Sequence, residues 1–508
     1  MKEVHGKIEI SRKSRALDGA MYKKTDKQQK EFEDFLLPFG GKLSGKNRWV
    51  VKASLIPWDE LEPLYEASLT GSHMGAPAIS FRIAFGSQII KESLNITDEE
   101  TVEQIRENPY LQYFLGYTVF TTEKPFDASM MVHFRKRLKW NDLQAINDRI
   151  AGLGSSEASD DDQLDPPTGT GSSKEAASAN QTENAGTLKV DATCTPADIR
   201  YPTDLSLVEE ARRKSEKLID MLYAAGPKVA AKPRTYRKKA RKHFLSIIRK
   251  RRKSSKEIRK AIGKQLRFLK RNLKSIRELA TPQTLATLSK AQYKALLVIH
   301  EVYRQQLEMF ESETHKIDGR IVSIRQPHVR PIVRGKAGAD TEFGAKISMS
   351  IVDGYVYVDR ISFDAFNEGG DLAMQLEEYK RRFGKYPAVV QADKIYRTRS
   401  NHKLCKDNNI RLSGPALGRP PKDEVLRKLK KQIKSDEGER VEIEGGFGVL
   451  KRKYSWDEIR ARLPATSITW ICMAAIARNI EKAYRAFLSL LCWIFNIRSN
   501  SAILILIQ

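Results

Sequence analysis

A 33-residue stretch that cannot fold divides the chain into two parts. It runs from Gly154 to Gly186 and reads GSSEASDDDQLDPPTGTGSSKEAASANQTENAG, with no aromatic residue and one large aliphatic side chain, Leu164. Such a composition buries too little apolar surface to offset the entropy lost on ordering. We therefore predict a disordered acidic, Gly- and Ser-rich linker at 154–186, with one folded part at 1–153 and a second from residue 187.

Helical patterns fill the part before the linker. Apolar residues at helical spacing and capping signals predict helices in four segments, with a fifth starting at the N-cap Thr97. The four segments are Ile56–Leu69, Ala78–Leu94, Tyr110–Leu115 and Asp127–Leu138. The last one ends HFRKRLKW, where Arg135 and Arg137 are candidate DNA contacts of a helix-turn-helix reader. A small helical bundle with a solvated basic face is the alternative.

The pattern changes to strands after the linker. The predicted strands are Thr187–Thr193, Lys346–Val352, Tyr355–Phe363, Ala388–Asp393 and Ile410–Ser413, with helices at Asp371–Phe383 and Asn401–Asn408. Asp353–Gly354 between two strand patterns is a strong hairpin signal. Strands mixed with helices predict an α/β domain with a mixed sheet at 187–485, which a basic helical segment at about 207–315 interrupts between its first two strands.

The charge is concentrated in that interrupting segment. The 508 residues include 89 Lys plus Arg and 63 Asp plus Glu, a net charge of +26. Between Lys228 and Arg277 there are 22 Lys or Arg and one acid, Glu257. A polyanion, either nucleic acid or an anionic membrane surface, is the partner that this charge favours, and a merely solvated positive surface is the alternative. Candidate phosphate contacts are Lys250, Arg251 and Arg252, and LRFLKRNLKSIREL predicts an amphipathic helix with Leu266, Leu269, Leu273 and Ile276 on one face.

Several classes of protein do not fit this sequence. Four scattered cysteines without a CxxC pair argue against a zinc ribbon, a redox motif or a disulfide framework, and they fit a reducing cytosol. The N-terminus lacks the apolar core of a signal peptide. The apolar run AFLSLLCWIFNI is about half a membrane span, so 486–508 is predicted to be an apolar C-terminal tail and no membrane partner is expected.

Two predicted strands lead to aspartates, Asp191 and Asp393, and a third acid, Glu444, lies in RVEIEGGFGVLKRKY. Carboxylates gathered at strand ends can hold Mg²⁺ or Mn²⁺, which take oxygen ligands. Two such ions can activate the attacking oxygen and stabilise the leaving oxygen of a phosphodiester. Strand-end aspartates also serve as turn or cap residues, which is the alternative.

The Glu444 segment carries a more specific spacing. Arg440, Glu444, Phe447 and Lys451 are four, three and four residues apart, so on a helix they form one stripe. Phe447 would face the core, while Arg440 and Lys451 would flank the carboxylate and contact phosphates. The double glycine at 445–446 weakens this helix.

These residues resemble the DDE transposases of bacterial insertion sequences, especially the InsH-like group, over most of the chain. KVDATCTPADIRYPTDLSLV resembles the first-Asp motif, VVQADKIY the second and RVEIEGGFGVLKRKYSWDEIRARLP the third. The resemblance makes Asp191, Asp393 and Glu444 the catalytic acids and the ligands of two Mg²⁺ or Mn²⁺ ions. It adds Tyr396 to the DNA-binding residues. The sequence departs from the family pattern at Ile395, where a small residue is usual, and at Glu437, where a tyrosine is usual.

The resemblance implies a ribonuclease-H-like catalytic domain after an all-α N-terminal DNA-binding domain. It implies a transposase that cleaves insertion-sequence ends and transfers the strands into target DNA. Double-stranded DNA, as terminal inverted repeats and target, and a homo-oligomeric synaptic complex are the expected partners, in the cytoplasm and associated with the nucleoid. A metal-dependent nuclease without strand transfer and an inactive DNA-binding protein from a decayed element remain the alternatives.

Overall fold

A computed structural model describes residues 31–37, 40–67, 69, 78–152, 184–227, 231–336, 339–415 and 423–494. The chain separates into two units, one comprising Met1–Ile90 and Asp98–Leu138, the other Lys91–Thr97 and Lys139–Gln508. The predicted linker lies outside the described residues up to residue 183, as does the C-terminal tail beyond Ile494.

The first unit is helical in its described part. Its helices are α1 (Arg48–Leu55), α2 (Trp58–Glu66), α3 (Phe81–Leu94), which ends in the second unit, α4 (Asp98–Glu107), α5 (Pro109–Phe114) and α6 (Met130–Arg137). The predicted helices are confirmed within a few residues, and α1 was not predicted. Aromatic rings form much of the core: Trp58 meets Phe114 edge to face at 5.4 Å, and Phe81 stacks on Phe85 at 5.0 Å.

A mixed six-stranded sheet organises the second unit. Its strands are β1 (Thr187–Pro196), β2 (Arg330–Lys336), β3 (Ala339–Val352), β4 (Tyr355–Ser362), β5 (Val389–Ala392) and β6 (Arg411–Leu412). β1 pairs in parallel with β5 and antiparallel with β3, and β5 pairs in parallel with β6. β2 and β4 both pair antiparallel with β3. The prediction of an α/β fold with a mixed sheet is confirmed, and the arrangement is compatible with a ribonuclease-H-like domain.

The hairpin prediction is also confirmed. Asp353 and Gly354, with φ of 49° and 77°, form the turn between β3 and β4. Two positive φ values in a two-residue loop are what a tight hairpin requires. The first strand differs from its prediction, because β1 continues to Pro196, where Gly344 of β3 still pairs with it. Asp191 therefore lies within β1 instead of near its end.

Helices cover both faces of the sheet. On one face, α15 (Asp423–Lys453) and α16 (Pro464–Ile494) contribute Ile443, Leu450 and Ile471 to a core with Ile347 and Met349 of β3. On the other, α13 (Leu372–Phe383) and α14 (Arg399–Asp407) pack against β1 and β5. α7 (Trp140–Gly152) packs against α16 and β4.

In the described part of the chain, five helices lie between β1 and β2, in the region where a basic helical insertion was predicted. They are α8 (Asp204–Ala225), α9 (Arg237–Ile248), α10 (Ser255–Leu279), α11 (Pro282–Ala286) and α12 (Lys290–Glu311). They share a hydrophobic core that includes Leu266, Leu269, Leu273 and Ile276 of α10. The predicted amphipathic face is therefore the buried face of α10. No helix within the described ranges is long and apolar enough to cross a membrane.

Candidate active site

The parallel pairing of β1 with β5 brings the two predicted aspartates together. The register aligns Val190 with Ala392, so Asp191 and Asp393 follow an aligned pair on neighbouring strands. Asp393 follows the last residue of β5 and caps a short 3-10 turn, where its Oδ1 accepts a hydrogen bond of 2.7 Å from the Lys394 N–H. The two carboxylates thus lie close together on neighbouring strands, Asp191 within β1 and Asp393 directly after β5.

Asp191 sits in an environment that disfavours its charge. Burial raises the pKa of Asp191 from 3.8 to about 6, although the Ala192 N–H and Arg440 lower it; Asp393 and Glu368 raise it further. The Ala192 N–H donates to Asp191 Oδ1 at 2.7 Å. A carboxylate that is partly desolvated and close to two other acids is a group whose ionised form a cation would stabilise.

The third predicted acid, Glu444, lies on α15 and is joined to the first through an arginine. Arg440 Nη2 is 3.0 Å from Glu444 Oε1, and Arg440 Nη1 is 3.8 Å from Asp191 Oδ2. The Glu444 side chain is 55% exposed, whereas that of Asp191 is 18% exposed. Arg440 therefore lies between the helix carboxylate and the strand carboxylate.

No three His, Cys, Asp or Glu side chains of the described residues are arranged so that they could hold a metal ion. The donor chemistry nevertheless fits a hard divalent cation, because all three predicted ligands are carboxylates and Asp191 has a raised pKa. Glu444 is paired with Arg440, which also approaches Asp191. The structure thus brings two of the three acids together and ties the third to an arginine.

The helical stripe of the third motif forms as the spacing predicts. α15 is continuous through Gly445 and Gly446, and Phe447 is 9% exposed in the core beneath the sheet. A Cβ on Gly446 would lie 3.0 Å from Ile351 Cδ1, so the second glycine lets α15 approach β3 closely. Lys451 follows one turn after Phe447 and is half-buried.

Two residues that were predicted to contact DNA are buried, which contradicts that prediction. Tyr396 is fully buried among the side chains of β5, α13 and α14, and burial raises its pKa further above the ordinary tyrosine value. Arg135 is 5% exposed, and its Nη1 donates to Asp98 Oδ1 at 2.9 Å. The sequence suggested that both side chains are exposed to solvent, but each packs into the interior of its own unit.

The other predicted DNA contacts differ in how exposed they are. Arg137 is half-buried and donates to the Tyr65 hydroxyl at 3.2 Å. Lys250, Arg251 and Arg252 are exposed in the turn between α9 and α10, where Lys250 pairs with Glu257 at 2.5 Å. The turn therefore offers two arginines to solvent, next to a lysine that is partly neutralised.

An acid that the sequence did not single out lies beside the aspartates. Glu368, in a 3-10 turn after β4, is close enough to Asp191 for its charge to raise that group's pKa. It pairs with Lys346 of β3, whose Nζ also donates to the Phe366 carbonyl at 2.7 Å. The one sequence signal was a turn-forming Asn-Glu-Gly-Gly run after a strand, which gives no indication of proximity to Asp191.

Comparisons with known proteins identify two regions. Residues 390–481 match the transposase DDE domain family, and residues 39–137 match the transposase domain family DUF772. A Rhizobium meliloti protein, described as uncharacterized protein ORF8 in the nfe locus, is 31% identical over 159 residues. That alignment covers 31% of this chain and 66% of the relative's length. No solved structure matches the chain.

Proposed function

The chain belongs to the DDE transposases of insertion-sequence type, and from this premise we propose that it cuts DNA at insertion-sequence ends and joins them to target DNA. The observation that carries the proposal is the β1–β5 register, which aligns Val190 with Ala392 directly before Asp191 and Asp393. Two acids on adjacent strands, next to an acid-bearing helix, suit phosphodiester chemistry.

Asp191, Asp393 and Glu444 would hold two Mg²⁺ or Mn²⁺ ions. When bound, these ions would activate water or a 3′-hydroxyl and stabilise the departing 3′ oxygen. The raised pKa of Asp191, about 6, supports this assignment, since burial and the nearby Asp393 and Glu368 destabilise the ionised carboxylate, and a bound cation would stabilise it. Glu368, which is paired with Lys346, would add negative potential beside Asp191 without serving as a ligand.

Arg440 would have two positions in this account. In the described structure it neutralises Glu444 at 3.0 Å and approaches Asp191 at 3.8 Å. A DNA phosphate is a competing acceptor with ideal geometry for a guanidinium. Arg440 would therefore turn to the phosphate when DNA binds, which frees Glu444. Lys451 would contact the DNA backbone further along the same helical stripe.

The remaining parts would bind DNA and organise the complex. The helical unit would read the terminal inverted repeats, with Arg137 as a contact, while Arg251 and Arg252 of the basic insertion would neutralise phosphates and make binding salt-dependent. A homo-oligomeric complex would hold two DNA ends. Membership of the InsH-like group and a ribonuclease-H-like catalytic domain are parts of the same proposal.

The test uses uncut terminal DNA that extends beyond the element end, taken from the nucleotide sequence that flanks the gene, with supercoiled target DNA and Mg²⁺. We expect wild type to cleave the ends and form strand-transfer products, and Asp393→Asn to form neither. Asp407→Asn, which alters an exposed acid of α14, is the matched control and should retain both activities. Equal cleavage by wild type and Asp393→Asn would refute the proposal.

The two alternatives give different results in the same assay. A nuclease without strand transfer would cleave the terminal DNA but leave the supercoiled target unjoined. An inactive protein from a decayed element would bind the terminal DNA without cutting it. Strand-transfer products from wild type exclude both.

A further inference from the structure

A groove on the second unit opens where β1 ends. Its cavity volume is about 410 Å³, and it is bounded by the segment Asp198–Pro202, the start of α8, the segment 322–326 before β2, and Arg462 before α16. None of these residues belongs to the predicted active site. The groove thus lacks a role in the chemistry described above.

Four arginines line the groove, and none of them forms an ion pair within the described part of the chain. They are Arg200, Arg213, Arg325 and Arg462, and all four are exposed. Two of the three acids on the walls are neutralised elsewhere, because Glu209 pairs with Arg212 at 3.1 Å and Glu210 pairs with Lys214 at 3.1 Å. The groove is therefore positive and suits an anion with several charges.

An exposed aromatic ring lies among these arginines. Tyr201 is 70% exposed, and its ring meets Phe343 edge to face at 5.4 Å with an interplanar angle of 89°. A ring held by its neighbour in this way, with most of its surface in solvent, can stack on a nucleobase. Arginine side chains beside an exposed ring are the features of sites that bind unpaired nucleic acid strands.

The backbone around the groove is hydrogen-bonded to β3 and to the segment between α15 and α16. The Ala197 N–H donates to the Phe343 carbonyl at 2.8 Å, and the Asp198 N–H donates to the Ile459 carbonyl at 3.0 Å. The groove begins just beyond Pro196, five residues after Asp191 along β1, a separation of about 17 Å at the usual rise of a strand. A DNA strand that reached Asp191 would extend to the groove within a few nucleotides.

We propose that this groove binds an unpaired segment of the DNA strand, with Tyr201 stacking on a base and the four arginines contacting phosphates. The inference rests on the proposed function, because it takes DNA to be the substrate. A single strand fits better than a duplex, since a cavity of about 410 Å³ is small-molecule sized and holds a nucleotide but not a double helix. Unpaired bases also present the faces that an exposed ring can cover, whereas bases within a duplex do not.

The test measures DNA affinity by fluorescence anisotropy with metal-free full-length protein. The probes are a blunt duplex and the same duplex with a single-stranded tail of about eight nucleotides, a length within the site sizes of domains that bind single strands. Wild type should bind the tailed probe more tightly. Tyr201→Ala should weaken binding to the tailed probe by about 5- to 100-fold and leave blunt-duplex affinity unchanged, whereas Tyr201→Phe should retain tight binding.

The charge is tested separately with the double variant Arg325→Gln/Arg462→Gln. For the tailed probe, the slope of log K against log salt is negative, and each phosphate contact on a single strand contributes about −0.7 to it. Loss of two contacts should therefore make the slope less steep by about 1.4. The double variant Lys385→Gln/Lys406→Gln, which removes two exposed charges far along the chain from the groove, is the control and should leave the slope unchanged.

Two results would overturn the proposal that the groove binds an unpaired DNA strand. One is wild-type affinity for the tailed probe no higher than for the blunt duplex; the other is equal weakening of both probes by Tyr201→Ala. Neither result affects the cleavage assay with Asp393→Asn, so a failure of the groove is distinguishable from a failure of the transposase proposal.

Discussion

Replacing Asp191 with asparagine should stabilise the metal-free protein at neutral pH. The pKa of Asp191 in the folded protein is about 6 against a reference value of 3.8, with burial as the largest cause. A shift of about 2 units at 1.36 kcal/mol per unit corresponds to about 3 kcal/mol by which folding disfavours the ionised carboxylate. The side chain is only 18% exposed, so solvent screening reduces this value little.

The direction of the pH dependence follows from the sign of the shift. Between pH 3.8 and about 6 the folded protein holds a proton on Asp191 that the unfolded chain has released. This carboxyl therefore contributes a free energy of unfolding that falls as pH rises through that window. Asp191→Asn lacks this dependence. Its free energy of unfolding should therefore equal that of wild type at about pH 3.8 and exceed it by about 3 kcal/mol at pH 7.

Urea unfolding in the presence of EDTA, followed by circular dichroism at both pH values, measures the effect. For an m-value of about 3 kcal/mol/M, the midpoint at pH 7 should rise by about 1 M. Asp407→Asn, at an exposed position, should leave the midpoint unchanged. A free energy of unfolding of Asp191→Asn equal to or below that of wild type at pH 7 would refute the reasoning.

Two further predictions concern the packing of α15 and α16 against the sheet, each measured by urea unfolding. Gly446→Leu should destabilise the protein by about 1–3 kcal/mol, because even a Cβ there would lie 3.0 Å from Ile351 Cδ1. Gly445→Ala should instead stabilise α15 by up to about 1 kcal/mol, because a Cβ at that position meets nothing within 4 Å. Equal effects of the two changes would contradict this close approach. Asn479→Ala should lower the free energy of unfolding by about 1–3 kcal/mol. The fully buried Asn479 amide accepts a hydrogen bond of 2.9 Å from the Val356 N–H and donates one of 2.8 Å to the Val356 carbonyl. An unchanged urea midpoint would show that this pairing is dispensable.

Local sequence signals predicted five of the six strands of the described sheet. The Asp353–Gly354 turn could be predicted because two positive φ values in a hairpin favour these residue types. β2 was not predicted, since Arg330–Lys336 reads RPIVRGK, a basic run with a proline and a glycine. Its pairing with the first half of β3 makes it a strand, and such long-range pairing leaves no local periodicity.

The sequence predicted which acids belong to the candidate site, but not which side chains are buried or lie close together there. The motif spacing identified Arg440, Glu444 and Phe447 as one helical stripe, because a helix fixes which residues share a face. Burial of Tyr396 and the closeness of Glu368 to Asp191 depend on how separate elements pack. Residue type alone carries neither fact, since tyrosine and glutamate occur at the surface and in buried pairs alike.

Single-turnover cleavage of terminal DNA by cysteine and alanine variants of Asp191 tests the proposed metal chemistry most directly. Mg²⁺ strongly prefers oxygen ligands, whereas Mn²⁺ accepts sulfur more readily. Asp191→Cys should therefore be inactive with Mg²⁺ and regain cleavage with Mn²⁺, while Asp191→Ala should be inactive with both ions and wild type active with both. Cleavage by Asp191→Ala at the wild-type rate in Mg²⁺ would contradict the account.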